Sequence, residues 1–155
     1  MKAAYITGHG GMEVVTVGER PMPARAPGEV RIRLHAATLN RVDLYMRNSG
    51  AGITHPIPMI LGLDGAGVID EVDADDPLLK PGQRVFLHPG VSCGRCEFCL
   101  RGDDVLCNRY KMLGEHRDGT FATRPPRTLT PSPKTTLADW NKGRNCDTKT
   151  ALTEV

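Results

Sequence analysis

Along Glu29–Ala36 the residues Val30, Ile32, Leu34 and Ala36 alternate with Glu29, Arg31, Arg33 and His35. A period of two sends successive side chains to opposite faces, so this segment predicts a strand with one face in a core and the other in water. The turn Pro27-Gly28 opens it. Shorter apolar runs bounded by Gly and Pro predict further strands over Lys2–Ile6, Glu13–Val17, Gly67–Val72 and Arg84–Leu87, the last launched by Lys80-Pro81-Gly82-Gln83. No helical period runs beyond three turns. The best short helix is Arg41–Arg47, where Val42, Tyr45 and Met46 stand at i, i+3 and i+4. Many short strands between turns predict a mainly β fold, a small barrel or sandwich, through about Ala122.

Past Ala122 this patterning dissolves. Thr123–Val155 is rich in Thr and Pro, and its apolar residues Leu129, Leu137, Trp140, Leu152 and Val155 follow neither period. So little apolar surface does not offset the entropy of ordering the segment, which is expected to be an irregular, disordered tail. The chain thus divides into a folded domain over 1–122 and a tail over 123–155.

Composition narrows the functional classes. With 155 residues and 39% of them hydrophobic, the chain has material for one core. No stretch of 18 apolar residues occurs, and Met1–Ile6 runs into Thr7-Gly8-His9-Gly10-Gly11 without the apolar stretch of a secretory signal. The expectation is a cytoplasmic protein with no membrane partner. A net charge of +2 with interspersed acids and bases lacks the basic stripe that nucleic acid requires. His35 lies on the charged phase of its strand and is expected in solvent, while His88 and His116 read as loop polarity. The acidic runs Asp70-Glu71 with Asp73, Asp75 and Asp76, and Asp103-Asp104, read as solvated turns.

The concentrated chemistry lies in four cysteines. Cys93, Cys96, Cys99 and Cys107 form a C-x2-C-x2-C-x7-C array in a loop bearing Gly94 and Gly102, while the fifth, Cys146, stands apart. Four thiolates satisfy the tetrahedral preference of Zn²⁺ and leave no open position for water, which makes the site structural and defines a zinc lobe over 90–110. Metal binding would then be folding free energy for that lobe. An iron–sulfur cluster, a redox pair at Cys93 and Cys96, and unrelated thiols are the competing readings.

Taken with Lys80-Pro81-Gly82-Gln83-Arg84-Val85, with Pro58–Ile69, and with the opening Met1-Lys2-Ala3-Ala4 and Pro27-Gly28-Glu29-Val30, the array resembles the medium-chain dehydrogenase/reductase superfamily. The motifs occur in the expected order from Met1 to about Ala122. The resemblance implies a GroES-like β-barrel with a structural-zinc lobe, the N-terminal domain of zinc-containing alcohol dehydrogenases and quinone reductases. It also implies an NAD(P) cofactor and an alcohol, carbonyl or quinone substrate.

The departures from that family are as informative. Zinc-dependent alcohol dehydrogenases hold a second, catalytic zinc with a Cys at the position of Asn40 and a His at that of Leu63, followed by an acid that survives here as Asp64. Leu cannot coordinate zinc and an Asn carbonyl poorly replaces a thiolate, so no catalytic zinc is expected. Leu39–Arg47 is instead similar to the zinc-independent quinone-reductase branch. There the resemblance implies that Asn40 contacts the nicotinamide end of the cofactor and that Asp43 and Tyr45 line the same cleft, giving Asn40, Asp43 and Tyr45 as expected catalytic residues. Local helix chemistry supplies another reading: Asn40 is a favoured N-cap, Asp43 completes a capping-box-like pair, and Tyr45 packs a helix face.

A dinucleotide-binding Rossmann half is not legible in the chain. Gly62-x-x-Gly65-x-Gly67 has the wrong order of spacings and leads into Val68-Ile69 rather than a helix, so these glycines are expected to serve close backbone packing. The abrupt change after Gly119-Thr120-Phe121-Ala122 suggests a truncated chain with an out-of-frame tail. The chain alone is therefore expected to lack dehydrogenase turnover. The rival reading is a non-catalytic, zinc-stabilised β-barrel binding module.

Overall fold

The computed structural model describes residues 1–22, 24–25, 29–52, 54–73, 79–123 and 137–139. In chain order these form β1 (Lys2–Ile6), β2 (Val15–Glu19), β3 (Arg31–Ala37), helix α1 (Arg41–Ser49), β4 (Met59–Ile60), β5 (Gly65–Glu71), β6 (Arg84–Leu87), β7 (Gly90–Val91), helix α2 (Glu97–Arg101), β8 (Lys111–Met112) and β9 (Leu137–Asp139). Single 3-10 turns lie at Met12–Val14, Gly50–Gly52 and Asp104–Leu106. The strands make a sheet β2-β1-β4, a sheet β3-β5-β6-β9 and a ribbon β7-β8. All pairings of these strands are antiparallel, as a mainly β domain requires.

The limits of β1 and β6 are those predicted. The expected strand Glu13–Val17 begins only at Val15, because the Glu13 side chain folds back on the Gly11 N–H at 2.7 Å and holds Met12–Val14 as a helical turn. Alternation along β3 buries Val30 and Ile32 fully and packs Leu34 against the core, yet Ala36 is exposed. The cause is a register shift: Leu34 faces Gly67 and Ala36 faces Ala66, so two residues of β3 oppose one step of β5. Such a bulge bends the strand and re-aims the residues beyond it, here Thr38 and Asn40.

Two apolar clusters form the core. Val30, Ile32, Ile69, Leu79, Val85, Leu87, Val91 and Leu113 fill the larger sheet, while Ile6, Met46, Met59 and Leu61 join α1 to the smaller one. Charges reinforce the β3–β5 pairing, for Arg31 pairs with both Asp70 and Glu71, and Arg25 with Asp73. These three acids are thus ion-pair partners rather than merely solvated turn residues.

The tail departs from expectation at one place. Leu137–Asp139 pairs with β6, Leu137 opposite Leu87 and Asp139 opposite Val85, and extends the larger sheet. Residues 124–136 and 140–155, and with them the rest of the expected irregular or out-of-frame tail, lie outside the described residues.

The Gly62–Gly67 cluster packs backbone on backbone. A Cβ on Gly67 would lie 2.2 Å from the Arg33 carbonyl oxygen, and one on Gly65 2.8 Å from that of Ala36. Gly62, at φ +98°, is met by two further glycines, whose Cβ atoms would stand 2.6 Å (Gly114) and 2.1 Å (Gly119) from its carbonyl oxygen. Gly67→Ala is expected to lower unfolding free energy by ~1–3 kcal/mol by prising β5 from β3. Urea denaturation checks this against Gly8→Ala, where an added Cβ meets nothing within 4 Å beyond its chain neighbours and little change is expected.

Candidate metal centre and candidate active site

The ribbon β7-β8 closes the base of a loop that carries the four cysteines. Cys93 follows β7, Gly94 turns the chain at φ +69°, Cys96 is the N-cap of α2, and Cys99 lies within it. Gly102, at φ +90°, ends α2 in the left-handed conformation that glycine adopts without Cβ strain. The 3-10 turn then delivers Cys107, the most buried of the four thiols.

All four sulfurs lie within 4.8 Å of one another, with Cys96 Sγ 3.4 Å and Cys93 Sγ 3.9 Å from Cys99 Sγ. A tetrahedron with metal–sulfur bonds of about 2.3 Å has edges of about 3.8 Å, so the set fits a zinc-sized ion. Backbone N–H groups are already aimed at the sulfurs: those of Cys93 and Arg109 donate to Cys107 Sγ at 3.3 and 3.4 Å. The Arg95 N–H pulls the Cys93 thiol down to about 6, whereas desolvation pushes Cys99 up to about 11. The lobe has little apolar core, since Leu100, Val105 and Leu106 are 75%, 77% and 57% exposed. Among the described residues, this is the one group of three or more His, Cys, Asp or Glu side chains placed to share an ion.

The second site is built where β3 passes into α1. Asn40, extended at φ −109°, ψ 156°, is the N-cap of α1. Asp43 is 1% exposed, and both its oxygens take backbone protons: Oδ2 from the Asn40 N–H at 2.7 Å and Oδ1 from the Gly62 N–H at 3.1 Å. The capping pair is therefore present, and Asp43 also ties α1 to the glycine junction. Burial pushes its carboxyl above the ordinary value, against the pull of those two N–H groups.

Tyr45 does not pack a helix face; it is half exposed, and Val42 and Met46 make the core contacts of α1. Asn40 Nδ2 faces Asp64 Oδ1 at 3.3 Å, Thr38 Oγ1 at 3.2 Å and the Thr38 carbonyl at 3.4 Å, and the Thr38 hydroxyl donates to the same Asp64 oxygen. Leu63 is buried beside this network and offers no ligand atom. The structure thus joins Asn40 to Asp43 directly and adds Thr38, which sequence reading passed over. Its only signal was a hydroxyl at the end of an alternating strand, two residues before the N-cap. His55, in sequence one of five scattered histidines (9, 35, 55, 88 and 116), carries no local signal of its place. It is buried and bridges the Glu115 carbonyl (Nδ1, 2.5 Å) and the Gly50 carbonyl (Nε2, 3.0 Å), pinning the end of α1.

Antiparallel sheets, a capped helix and a four-thiol loop define a small β-domain that carries a cysteine lobe. The chain belongs to the alcohol dehydrogenase GroES-like domain family, which it matches over residues 26–126. It is 32% identical over 120 residues to an alcohol dehydrogenase of Schizosaccharomyces pombe, covering 77% of this chain and 34% of that one. To an alcohol dehydrogenase of Geobacillus stearothermophilus it is 34% identical over 123 residues, covering 79% and 36% respectively. A crystal structure of an NAD-dependent alcohol dehydrogenase superposes with a TM-score of 0.80 at 44% identity, over 90% of this chain and 39% of that one. The chain spans about a third of the length of the curated relatives it matches. No described helix is long and apolar enough to cross a membrane.

Proposed function

We propose that this chain is the substrate-side domain of a cytoplasmic NAD(P)-dependent oxidoreductase of the alcohol dehydrogenase type, carrying one structural zinc and no catalytic zinc. The observation that carries this reading is a contrast of two donor sets. Four thiols converge within 4.8 Å in the lobe, whereas Asn40 and Leu63 stand where the family resemblance implies catalytic-zinc ligands. Cys93, Cys96, Cys99 and Cys107 would hold the zinc, whose part is to cross-link the lobe.

A bound nicotinamide cofactor supplies or accepts the hydride. Asn40 binds its carboxamide end, Asp43 fixes the start of α1, and the exposed Tyr45 hydroxyl offers a polar contact to an alcohol, carbonyl or quinone. With no Lewis acid at this position, hydrogen bonds polarise the substrate oxygen.

The test supplies a nucleotide-binding half from a related dehydrogenase, as a fusion and in trans, to the zinc-loaded chain. The expected result is NAD(P)H-dependent reduction of an aldehyde, ketone or quinone by the assembly and none by the chain alone. A folded assembly that turns over nothing favours the non-catalytic binding module. Metal analysis is expected to give one zinc per chain, and two per chain would restore a catalytic metal and overturn the proposal.

A further inference from the structure

An asparagine side chain has two amide protons and one oxygen with two lone pairs. Around Asn40 the acceptors on one side are the Thr38 carbonyl and the Asp64 carboxylate, neither of which has a proton to give. That chemistry places Nδ2, and not Oδ1, on their side. The Thr38 hydroxyl completes the arrangement: its proton goes to Asp64 Oδ1, and its oxygen receives Nδ2. Asp64 is anchored in turn, because the Thr120 hydroxyl donates to its backbone carbonyl at 2.8 Å. The Asn40 backbone is held independently through the Asp43 carboxylate.

We propose that Thr38 and Asp64 are positioning residues that occupy both amide protons of Asn40, so that this side chain, whose oxygen already faces the Asp43 backbone N–H in the capping box, meets a ligand solely as a hydrogen-bond acceptor through the second lone pair of Oδ1. The group it fits is a neutral donor, the primary amide of a nicotinamide ring. The carboxylate of nicotinic acid, of the same size, has only acceptors to present and is refused. This deepens the preceding reading and rests on it for the identity of the ligand.

The experiment uses the ¹⁵N-labelled, zinc-loaded full chain and follows the Asn40 side-chain amide by NMR, assigned by its loss in Asn40→Asp. Two well-separated, slowly exchanging amide protons are expected. Thr38→Val, which keeps the shape of the side chain and removes the hydroxyl, is expected to speed their exchange about tenfold, the scale of one lost hydrogen bond. Thr38→Ser is expected to restore it, which a general packing role would not do. Asp64→Asn is expected to shift the same pair of signals.

Nicotinamide and nicotinate are then titrated in parallel, with nicotinamide expected to perturb the Asn40 signals at concentrations at least about tenfold lower. Fast exchange unaffected by Thr38→Val or Asp64→Asn overturns the positioning role, whatever the ligands do. A locked amide with nicotinate binding as well as nicotinamide overturns the acceptor-only assignment. A locked amide that neither compound touches upholds the positioning role and overturns the nicotinamide reading beneath it.

Discussion

Cys107→Ser is expected to weaken the hold of the lobe on zinc by about a hundredfold or more and to loosen the lobe. Zinc bound by four protein ligands contributes on the order of 10–16 kcal/mol in small domains, so one lost thiolate weakens it by about two orders of magnitude or more. Cys107 is the sharpest choice because it closes the loop from the far end and already receives two backbone N–H groups. A chromophoric chelator competing for the metal reads the affinity, and hydrogen exchange over residues 93–107 reads the order of the lobe. With Leu100, Val105 and Leu106 facing solvent, no apolar contact substitutes for the lost cross-link. Cys146→Ser, outside the array, is expected to leave the metal in place. Full retention of zinc and protection in Cys107→Ser would show that the four sulfurs do not act together.

Asp43→Leu is the second large effect. It leaves the Asn40 and Gly62 N–H groups without partners, at about 1–3 kcal/mol each, so a loss of ~2–6 kcal/mol is expected in urea unfolding. Asp43→Asn exposes the pH dependence. Because burial raises the folded carboxyl above its ordinary value of 3.8, the folded protein holds this proton to higher pH than the unfolded chain does. The penalty for burying the charge is fully present above the folded value and absent below the unfolded one. Between the two, the wild-type midpoint is expected to rise relative to that of Asp43→Asn as the pH falls. A fall instead would show that the two N–H groups outweigh burial.

What the sequence disclosed is what local periodicity and spacing encode. Strict alternation located β3, Gly and Pro bounded β1 and β6, Asn40 marked the start of α1, and regular cysteine spacing announced the four-thiol loop before any sulfur was placed. What it concealed depends on contacts between distant segments. The bulge at His35 arises from pairing with β5, and it cancels the alternation before Ala36. Tyr45 fits the helical period as well as Met46 does, and only the sheet beneath α1 decides which of them is covered. Thr38 and Asp64 lie 26 residues apart, and β6 meets Leu137–Asp139 across some fifty residues, separations at which no motif operates. His55 reads as one of several scattered histidines until the Gly50 and Glu115 carbonyls close on its ring.

The meeting of Gly62, Gly114 and Gly119 has a mechanical consequence. Where side chains separate two strands, rotamer changes absorb small displacements; here bare main chain touches bare main chain and nothing soft lies between. The segment returning from the cysteine loop is thereby held, main chain to main chain, against the loop between β4 and β5 that carries Asp64. A displacement of the cysteine lobe is therefore expected to reach the Asp64–Asn40 contact with little of it absorbed by side chains on the way.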